Sequence, residues 1–251
     1  MEYFWKQQDD IPAGMGYPLF GIAHLLCVFI TLLAVALMVK VFKKMDAGRQ
    51  KRFLRGIPVF MLFLELFKDG FLLAVGRFGL GYLPLHVCSI GIFVFLLREF
   101  LPWERAKEIF GEIAFALIMP ASVAALIFAD WTVYYPVWNF INIHSYIWHG
   151  ALVLYPVLLL VCGCAEPSMK HMHWTVIFLC LIVPPIYLFD KRFGCNYFFV
   201  NWPVPNSPLS WLKSFMGNPG YLVGYGIMVL GTMAAVYLCA GAVRRIRSRI
   251  D

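Results

Sequence analysis

Long apolar runs alternate with short charged or Pro- and Gly-containing stretches along the whole chain. A helix of about 20 apolar residues spans the hydrocarbon core of a bilayer, so each run is a candidate membrane helix. We predict seven spans, over residues 18–41, 57–75, 83–97, 109–129, 141–161, 174–189 and 220–243. The third run is short and the sixth contains Pro184-Pro185, so these two depart most from an ordinary span. The pattern predicts an all-α fold, a polytopic helical bundle forming one membrane domain over residues 1–251.

The composition supports a membrane protein. Hydrophobic residues make up 61% of the chain and charged residues only 14%, and the mean hydropathy is +0.75. A soluble domain carries about 25% charged residues. Because seven spans use more than half of the chain, we expect no separate soluble domain.

The positions of the basic residues test the seven predicted spans. With seven spans, one set of alternating loops receives fifteen of the 21 Lys and Arg residues. They are Lys40, Lys43, Lys44, Arg49, Lys51, Arg52, Arg55, Arg98, Arg105, Lys107, Lys170, Arg244, Arg245, Arg247 and Arg249. The positive-inside rule then predicts a cell-membrane protein with the N-terminus outside and the C-terminus inside. Orientation and attraction to anionic lipid explain the positive charge, so we expect membrane lipids as partners and no nucleic acid.

The stretch LPLHVCSIGIF places His86 and Cys88 at the start of the third predicted span. Residues two apart on a helix do not face each other, so each side chain needs a partner from another helix. Cys88 should lie near the helix N-terminus, where backbone N–H groups and the helix dipole favour a thiolate. The alternative is an inert, buried thiol.

Three more histidines fall at a similar depth. His24 lies in the first span, and His144 and His149 lie in the fifth. Asn142, Ser145 and His149 recur at helical spacing and form one polar stripe. Ionisable groups inside a bilayer usually face the bundle interior, so we predict a polar pocket in the outer third of the membrane. Interhelical hydrogen bonds are the alternative role for each histidine.

The second span contains Glu65, Lys68 and Asp69. Glu65 and Lys68 are three residues apart, so they can pair along one helix face. We interpret the three residues either as an ion pair that holds the bundle together or as a proton relay.

The predicted outer loop over residues 190–219 is rich in Pro, Asn, Trp and Phe. Its aromatic content predicts that it packs onto the bundle as a lid, with Asn196 and Tyr197 lining the pocket. The seven cysteines form no disulfide framework. No nucleotide-binding, nucleophile-elbow or zinc-protease motif occurs, so we predict no cofactor and no metal.

Several short motifs occur together in order along the chain. They are LPLHVC over residues 83–88, His149-Gly150, the GxNYxF of Gly194, Asn196, Tyr197 and Phe199, and the GxPxY of Gly217, Pro219 and Tyr221, with His24 as an early histidine. In these motifs the chain resembles the YwaF-like family of polytopic integral membrane proteins, over almost its whole length.

This resemblance implies a function. A distant eukaryotic relative is regarded as a membrane acyltransferase that loads acyl chains onto ether phospholipids through an acyl-cysteine intermediate. Its cysteine directly precedes the histidine that resembles His86, and its second catalytic residue resembles His149. Here that cysteine position is Leu85, and Cys88 lies about one helical turn further on.

Three hypotheses remain open from the sequence. The first is a membrane-embedded acyltransferase or lipid hydrolase, with His149 as base, Cys88 as candidate nucleophile, and His86 and His24 orienting the substrate beside Asn142, Ser145, Asn196 and Tyr197. The second is a proton-coupled transporter or solute-binding protein that uses the histidines and Glu65, Lys68 and Asp69. The third is a divalent metal site of the histidines and Cys88.

Overall fold

The computed structural model describes residues 2–247, and side chains for residues 2–242. The side chains of the predicted basic tail, Arg244, Arg245, Arg247 and Arg249, lie outside the described residues. Residues 2–247 form nine α-helices and no β-strand. The helices are α1 Ile22–Phe42, α2 Ala47–Ala74, α3 Val87–Phe100, α4 Glu104–Ile113, α5 Met119–Ile127, α6 Phe140–Val161, α7 Met172–Phe193, α8 Pro208–Met216 and α9 Tyr221–Arg247. The prediction of an all-α fold is confirmed for this part of the chain.

Five helical segments within the described residues are long and apolar enough to cross a membrane. They are Ile22–Phe42, Glu104–Val133, Phe140–Val161, Met169–Phe193 and Tyr221–Ala242. They coincide with the first and the fourth to seventh predicted spans. The other two predictions correspond to α2, which carries several charges, and to α3, which has only 14 residues. The chain is therefore a multi-pass helical membrane protein with five candidate spans by length and composition.

Helix ends follow from local sequence. Asp46 accepts a hydrogen bond from the Arg49 amide and begins α2, and Asn139 accepts from the Ile141 amide and begins α6. Gly194 adopts a left-handed conformation, φ +68°, and ends α7. Pro184 and Pro185 lie inside α7 without ending it. A π-helical segment, Ala114–Ile118, joins α4 to α5, so these two helices form one long element.

The core lies between α3, α4, α6 and the π-helical segment. Phe95 of α3 stacks on Tyr155 of α6, with ring centroids 4.1 Å apart, and both side chains are fully buried. By contrast, α1 presents large exposed side chains such as Ile22 and Phe29. This distribution fits a helix that faces lipid on most of its surface.

Buried charges lie at the end of the bundle where α3 and α6 finish, which we call the arginine end after Arg98. Arg98 Nη1 donates to Glu99 Oε1 at 2.6 Å, and the Tyr155 hydroxyl donates to the same oxygen at 2.6 Å. Glu112 accepts hydrogen bonds from the Tyr237 hydroxyl at 2.7 Å and the Ser168 amide at 3.2 Å. These carboxylates therefore help to hold α3, α4, α6 and α9 together.

The segment between α7 and α8 packs back onto the bundle, as its aromatic content predicts. Tyr197, Phe198, Val200 and Val204 are all buried. The cysteines differ from the prediction in one respect, because Cys162 and Cys164 at the end of α6 form a disulfide. The spacing of these two cysteines, with a single residue between them, did not predict a disulfide. Cys27, Cys88, Cys180, Cys195 and Cys239 are free.

Candidate functional site

The helices α2, α3 and α6 bring polar side chains together at the end opposite to Arg98, which we call the histidine end. His86 immediately precedes α3, His144 and His149 lie in the first half of α6, and Lys68 lies near the end of α2. His86 is close enough to both His149 and Lys68 for their charges to interact, and so is His144. The structure therefore brings together three of the predicted pocket residues, His86, His144 and His149, and adds Lys68, which the sequence placed in a separate group.

His149 is buried and held in one orientation. Its Nδ1 lies 2.7 Å from the carbonyl oxygen of Ser145, one turn earlier in α6. Its ring stacks on Trp131, with centroids 5.1 Å apart and planes inclined by 6°. Because a carbonyl only accepts, Nδ1 carries the proton of the neutral ring and Nε2 carries the lone pair. Nε2 has no hydrogen-bond partner among the described residues and is not fully buried.

His86 borders a cavity of about 500 Å³ at the histidine end. Its ring lies 4.8 Å from that of Tyr197 and 5.5 Å from that of Phe199. Asp130 and Trp202 also line this cavity. The aromatic segment after α7 therefore forms one wall, and His86 and Asp130 supply polar groups.

Cys88 is the second residue of α3, as its predicted position near a helix N-terminus requires. No side chain caps the first N–H groups of this helix. The thiol interacts with Ser89 and lies within electrostatic range of both Glu65 and Lys68. Among the described residues no hydrogen bond joins Cys88 to a histidine. A carboxylate opposes the thiolate that Lys68 and the helix N-terminus favour.

The charged residues in the second half of α2 form a largely buried group. Lys68 Nζ lies 2.8 Å from Glu65 Oε1 and 3.4 Å from Asp69 Oδ1. His144 packs beside them, stacked on Trp148 with ring centroids 5.4 Å apart. Its Nε2 is buried without a partner among the described residues. This arrangement places one cation and two carboxylates against the histidine pair of α6.

His24 uses both of its ring nitrogens within the bundle. The Phe20 amide donates to Nδ1 at 3.1 Å, and Nε2 donates to the Leu126 carbonyl at 2.9 Å. The imidazole therefore joins α1 to α5 and has no nitrogen free for a substrate.

The rest of the predicted polar stripe on α6 is also engaged within the protein. Asn142 accepts from the Tyr17 hydroxyl at 2.8 Å and donates to the Val137 carbonyl at 2.8 Å. The Ser145 hydroxyl donates to the Ile141 carbonyl at 2.9 Å. Of the three residues in the stripe, His149 is the one that keeps a free polar atom.

The motif residues after α7 shape the wall of the cavity. Asn196 Oδ1 accepts from the amides of Asn201 and Trp202, both at 3.0 Å. The Tyr197 hydroxyl donates to the Leu80 carbonyl, and the Tyr221 hydroxyl donates to the Phe199 carbonyl at 2.6 Å. These bonds hold the segment against the start of α9 and the turn before α3.

Cys195 also borders the cavity, in the segment after α7. Burial, with the nearby carboxylate of Asp190 adding to it, raises the pKa of the Cys195 thiol. A raised pKa lowers the thiolate fraction near neutral pH.

Two residues of the site were not singled out from the sequence. Asp130 and Trp131 lie on a four-residue 3₁₀ segment, Asp130–Val133, which is too short to show a periodic pattern. Trp131 stacks on His149. Its Nε1 is buried without a partner among the described residues. The sequence feature that could have pointed to these two residues is an acidic residue followed by several aromatic residues.

Within the described residues, no group of three or more His, Cys, Asp or Glu side chains is arranged to hold a metal ion. The chain matches no curated protein and no solved structure. A family model matches residues 19–237, which is most of the chain and includes every residue of the site. The chain therefore belongs to the TMEM164 family of transmembrane proteins.

Proposed function

We propose that the chain is a membrane-embedded enzyme that transfers or hydrolyses a lipid acyl group, with His149 as general base. The observation that carries this proposal is the hydrogen bond from His149 Nδ1 to the Ser145 carbonyl. It leaves the lone pair on Nε2, the atom that accepts a proton in general-base catalysis. The stacking on Trp131 holds the ring in that orientation.

The surroundings of His149 support a reaction in which negative charge develops on a carbonyl oxygen. Lys68 interacts electrostatically with His86, His144 and Cys88, but Glu65 and Asp69 lie beside it and offset its positive charge. The donors available to an oxyanion are therefore the uncapped N–H groups at the start of α3. Fixed backbone donors of this kind stabilise the oxyanion of acyl transfer.

The step assigned to His149 is removal of a proton from the attacking group. That group is an alcohol of an acceptor lipid, a water molecule, or the thiol of Cys88. In the last case an acyl-cysteine forms first and the acceptor then releases the acyl group. His86 and Tyr197 would contact the substrate in the cavity that they border.

The test is acyl turnover by the purified chain in lipid nanodiscs, with a phospholipid carrying a labelled acyl chain and a lysophospholipid acceptor. His149→Ala should lower turnover about 100-fold or more, since a general base contributes about 10²–10⁴-fold. His173→Ala is the matched control, because His173 is exposed near the start of α7. Unchanged turnover in His149→Ala would refute the proposal.

The role of Cys88 needs a separate test. An acylated Cys88 peptide should appear in the mass spectrum after a rapid acid quench, and His149→Ala should reduce it. Cys88→Ser is expected to remove the adduct, whereas Cys195→Ser should not affect it. Full turnover in Cys88→Ser without an adduct would mean that the acyl group passes directly from one lipid to the other, with no acyl-cysteine intermediate.

A proton-coupled transporter is the second candidate, and the buried Glu65–Lys68–Asp69 group is the observation that favours it. Titratable groups inside a membrane often carry protons along a transport pathway. In proteoliposomes, a pH gradient should then drive solute uptake, and Glu65→Gln should abolish it. Acyl turnover without gradient-driven flux would favour the enzyme.

For the topology we propose seven spans in the cell membrane, with α2 and α3 as the second and third. The start of α3 lies beside the end of α7 in the structure, because His86 contacts Tyr197. The distribution of basic residues then supports the histidine end as the outer one. The resemblance to the YwaF-like family supports a polytopic membrane protein, and its acyltransferase relative supports the proposed acyl chemistry. The exposed apolar surface of α1 supports membrane lipids as partners.

A further inference from the structure

The short helix α8, Pro208–Met216, carries an exposed aromatic pair that the proposed acyl chemistry does not use. Trp211 is 63% exposed and Phe215 is 72% exposed. Their rings stack on each other, with centroids 5.3 Å apart. Large apolar side chains that are exposed together mark a surface for a membrane or a protein partner.

One face of α8 packs against α9. A Cβ atom built on Gly224 of α9 would lie 2.9 Å from Leu212 Cδ2 and 2.8 Å from Met216 Sδ, so the glycine lets these two side chains approach closely. Gly224 is in the first turn of α9, where a candidate membrane span begins. With nine residues, α8 is too short to cross a membrane, for which about 20 are needed. The helix α8 therefore lies beside the point where that span enters the bilayer.

The faces of α8 that do not contact α9 differ in polarity. Trp211 and Phe215 are four residues apart and share one face. At about 100° per residue, Ser210 and Lys213 lie on the opposite side of the helix. Ser210 is partly exposed and Lys213 is exposed. An aromatic face opposite a polar, basic face is typical of a helix that lies in the interface between membrane and water.

The exposed surface of α8 continues into the apolar surface of α9. Val223, next to Gly224, and Ile227, one turn further, are both largely exposed. Lys213 is the one charged residue of α8, and residues 191–250 contain no Asp or Glu that would repel a lipid phosphate. A second copy of the chain would offer Lys213 no carboxylate from this segment. Continuity and charge therefore favour a phospholipid leaflet as the occupant of the aromatic face.

The end of α8 is tied to the wall of the histidine-end cavity. The Asn218 side chain, just after α8, donates to the Asn201 carbonyl at 3.1 Å. The Tyr221 hydroxyl, at the start of α9, donates to the Phe199 carbonyl at 2.6 Å. Phe199 and Trp202 line the cavity. The depth of α8 in the membrane therefore sets the height of this cavity wall.

We propose that α8 is an interfacial helix, with Trp211 and Phe215 among the acyl chains of the phospholipid leaflet at the histidine end and Lys213 toward the phosphate groups. In this position α8 presents the cavity wall to the same leaflet, so a phospholipid enters the cavity laterally from the membrane and not from water. The entry route rests on the proposed acyl function, in which this cavity binds a lipid. The position of α8 in the membrane does not depend on that function.

The experiment uses the purified full chain in phospholipid nanodiscs that contain a phosphatidylcholine with a photoactivatable diazirine in its acyl chain. After illumination, mass spectrometry should locate adducts on Trp211 and Phe215 but not on Ser210. Absence of adducts from Trp211 and Phe215, while the exposed Phe29 of α1 carries them, would overturn the interfacial position. Pairing of two copies through α8 would give that result, and native mass spectrometry would then find a dimer.

Variants test the entry route without an activity assay. A second lipid carries the diazirine near its headgroup and should label Trp202 in the cavity wall. Trp211→Ser with Phe215→Ser should reduce this labelling several-fold, because α8 then no longer holds the wall at the lipid surface. Phe100→Ser with Trp103→Ser is the matched control and should leave it unchanged, since these exposed aromatic residues lie at the arginine end. Equal labelling of Trp202 in the α8 variant and in the wild type would overturn the entry route.

The outcomes separate this proposal from the acyl function. Labelling of Trp202 that depends on α8, in a chain without acyl turnover, would support the lipid route and refute the acyl chemistry. Acyl turnover with neither α8 nor Trp202 labelled would support the acyl chemistry and refute the lipid route.

Discussion

Arg98 and Glu99 are neighbours in sequence, and both are buried at the arginine end. Their ion pair is completed by the Tyr155 hydroxyl and the Cys164 carbonyl. Removing one partner from a buried pair leaves the other charge without compensation, which costs far more than the pair itself contributes. The contribution of each residue to stability therefore depends on its partner.

Glu99→Gln should lower the free energy of unfolding by about 3 kcal/mol or more, since it leaves the Arg98 charge buried and unpaired. Thermal unfolding in detergent measures the change as a lower midpoint temperature. Glu108→Gln is the control, because Glu108 is 61% exposed and pairs with Arg105 at 3.5 Å. Equal midpoints for the two variants would contradict the importance of the buried pair.

The residue scale also shows how far the sequence predicts the site. The apolar pattern located His86, His144 and His149 at one depth, because the cost of burying a titratable group makes its position informative. It did not separate His149 from His24, because the second nitrogen of His24 is engaged by the Leu126 carbonyl, a distant residue that only folding brings near. Asp130 was missed because it lies between periodic segments.

At the scale of elements, α1 depends on its contact with α6. A Cβ atom built on Gly150 would lie 2.9 Å from Thr31 Cγ2, so the glycine of the His149-Gly150 pair lets these helices approach closely. The sequence alone does not predict this role, because it does not specify which helix packs against Gly150.

Gly150→Leu should therefore destabilise the protein by about 1–3 kcal/mol through overpacking between α1 and α6. Unfolding in nanodiscs, followed by the loss of helical circular dichroism, measures the effect. Gly231→Leu is the matched control, because a Cβ on Gly231 meets no atom within 4 Å. A neutral Gly150→Leu would show that the α1–α6 contact adapts.

The segment after α7 is the second element whose behaviour follows from specific bonds. Replacing both Tyr197 and Tyr221 by Phe removes the hydroxyl contacts to Leu80 and Phe199. Amide hydrogen exchange over residues 194–202 should become about tenfold faster or more. Tyr134→Phe should leave it unchanged, because Tyr134 is 51% exposed. Unchanged exchange in the double variant would mean that aromatic packing alone holds the segment.

At the scale of the whole molecule, hydropathy predicted the fold class and most helices, because every backbone group in a bilayer must be paired within the helix itself. It also indicated that the third span is short, over residues 83–97 against the observed Val87–Phe100. It did not predict that a π-helical segment joins α4 to α5.

The proposed seven-span topology predicts which loops a membrane-impermeant thiol reagent reaches from outside intact cells. Gly79→Cys, in the exposed turn before α3, should be labelled, and Gly48→Cys, in the first turn of α2, should not. Permeabilised cells supply the control, in which both positions should react. If both cysteines showed the same labelling in intact cells, α2 would not cross the membrane.

The central claim is that His149 keeps a lone pair on Nε2 without a partner among the described residues, close to the cavity-lining His86, whereas both nitrogens of His24 are engaged. Diethylpyrocarbonate modifies neutral imidazole nitrogens, and mass spectrometry locates each modified histidine in the purified chain. Diethylpyrocarbonate should modify His149, His86 and the exposed reference His173, and it should leave His24 unmodified. Protection of His149 while His173 reacts, or modification of His24 as readily as His149, would contradict it.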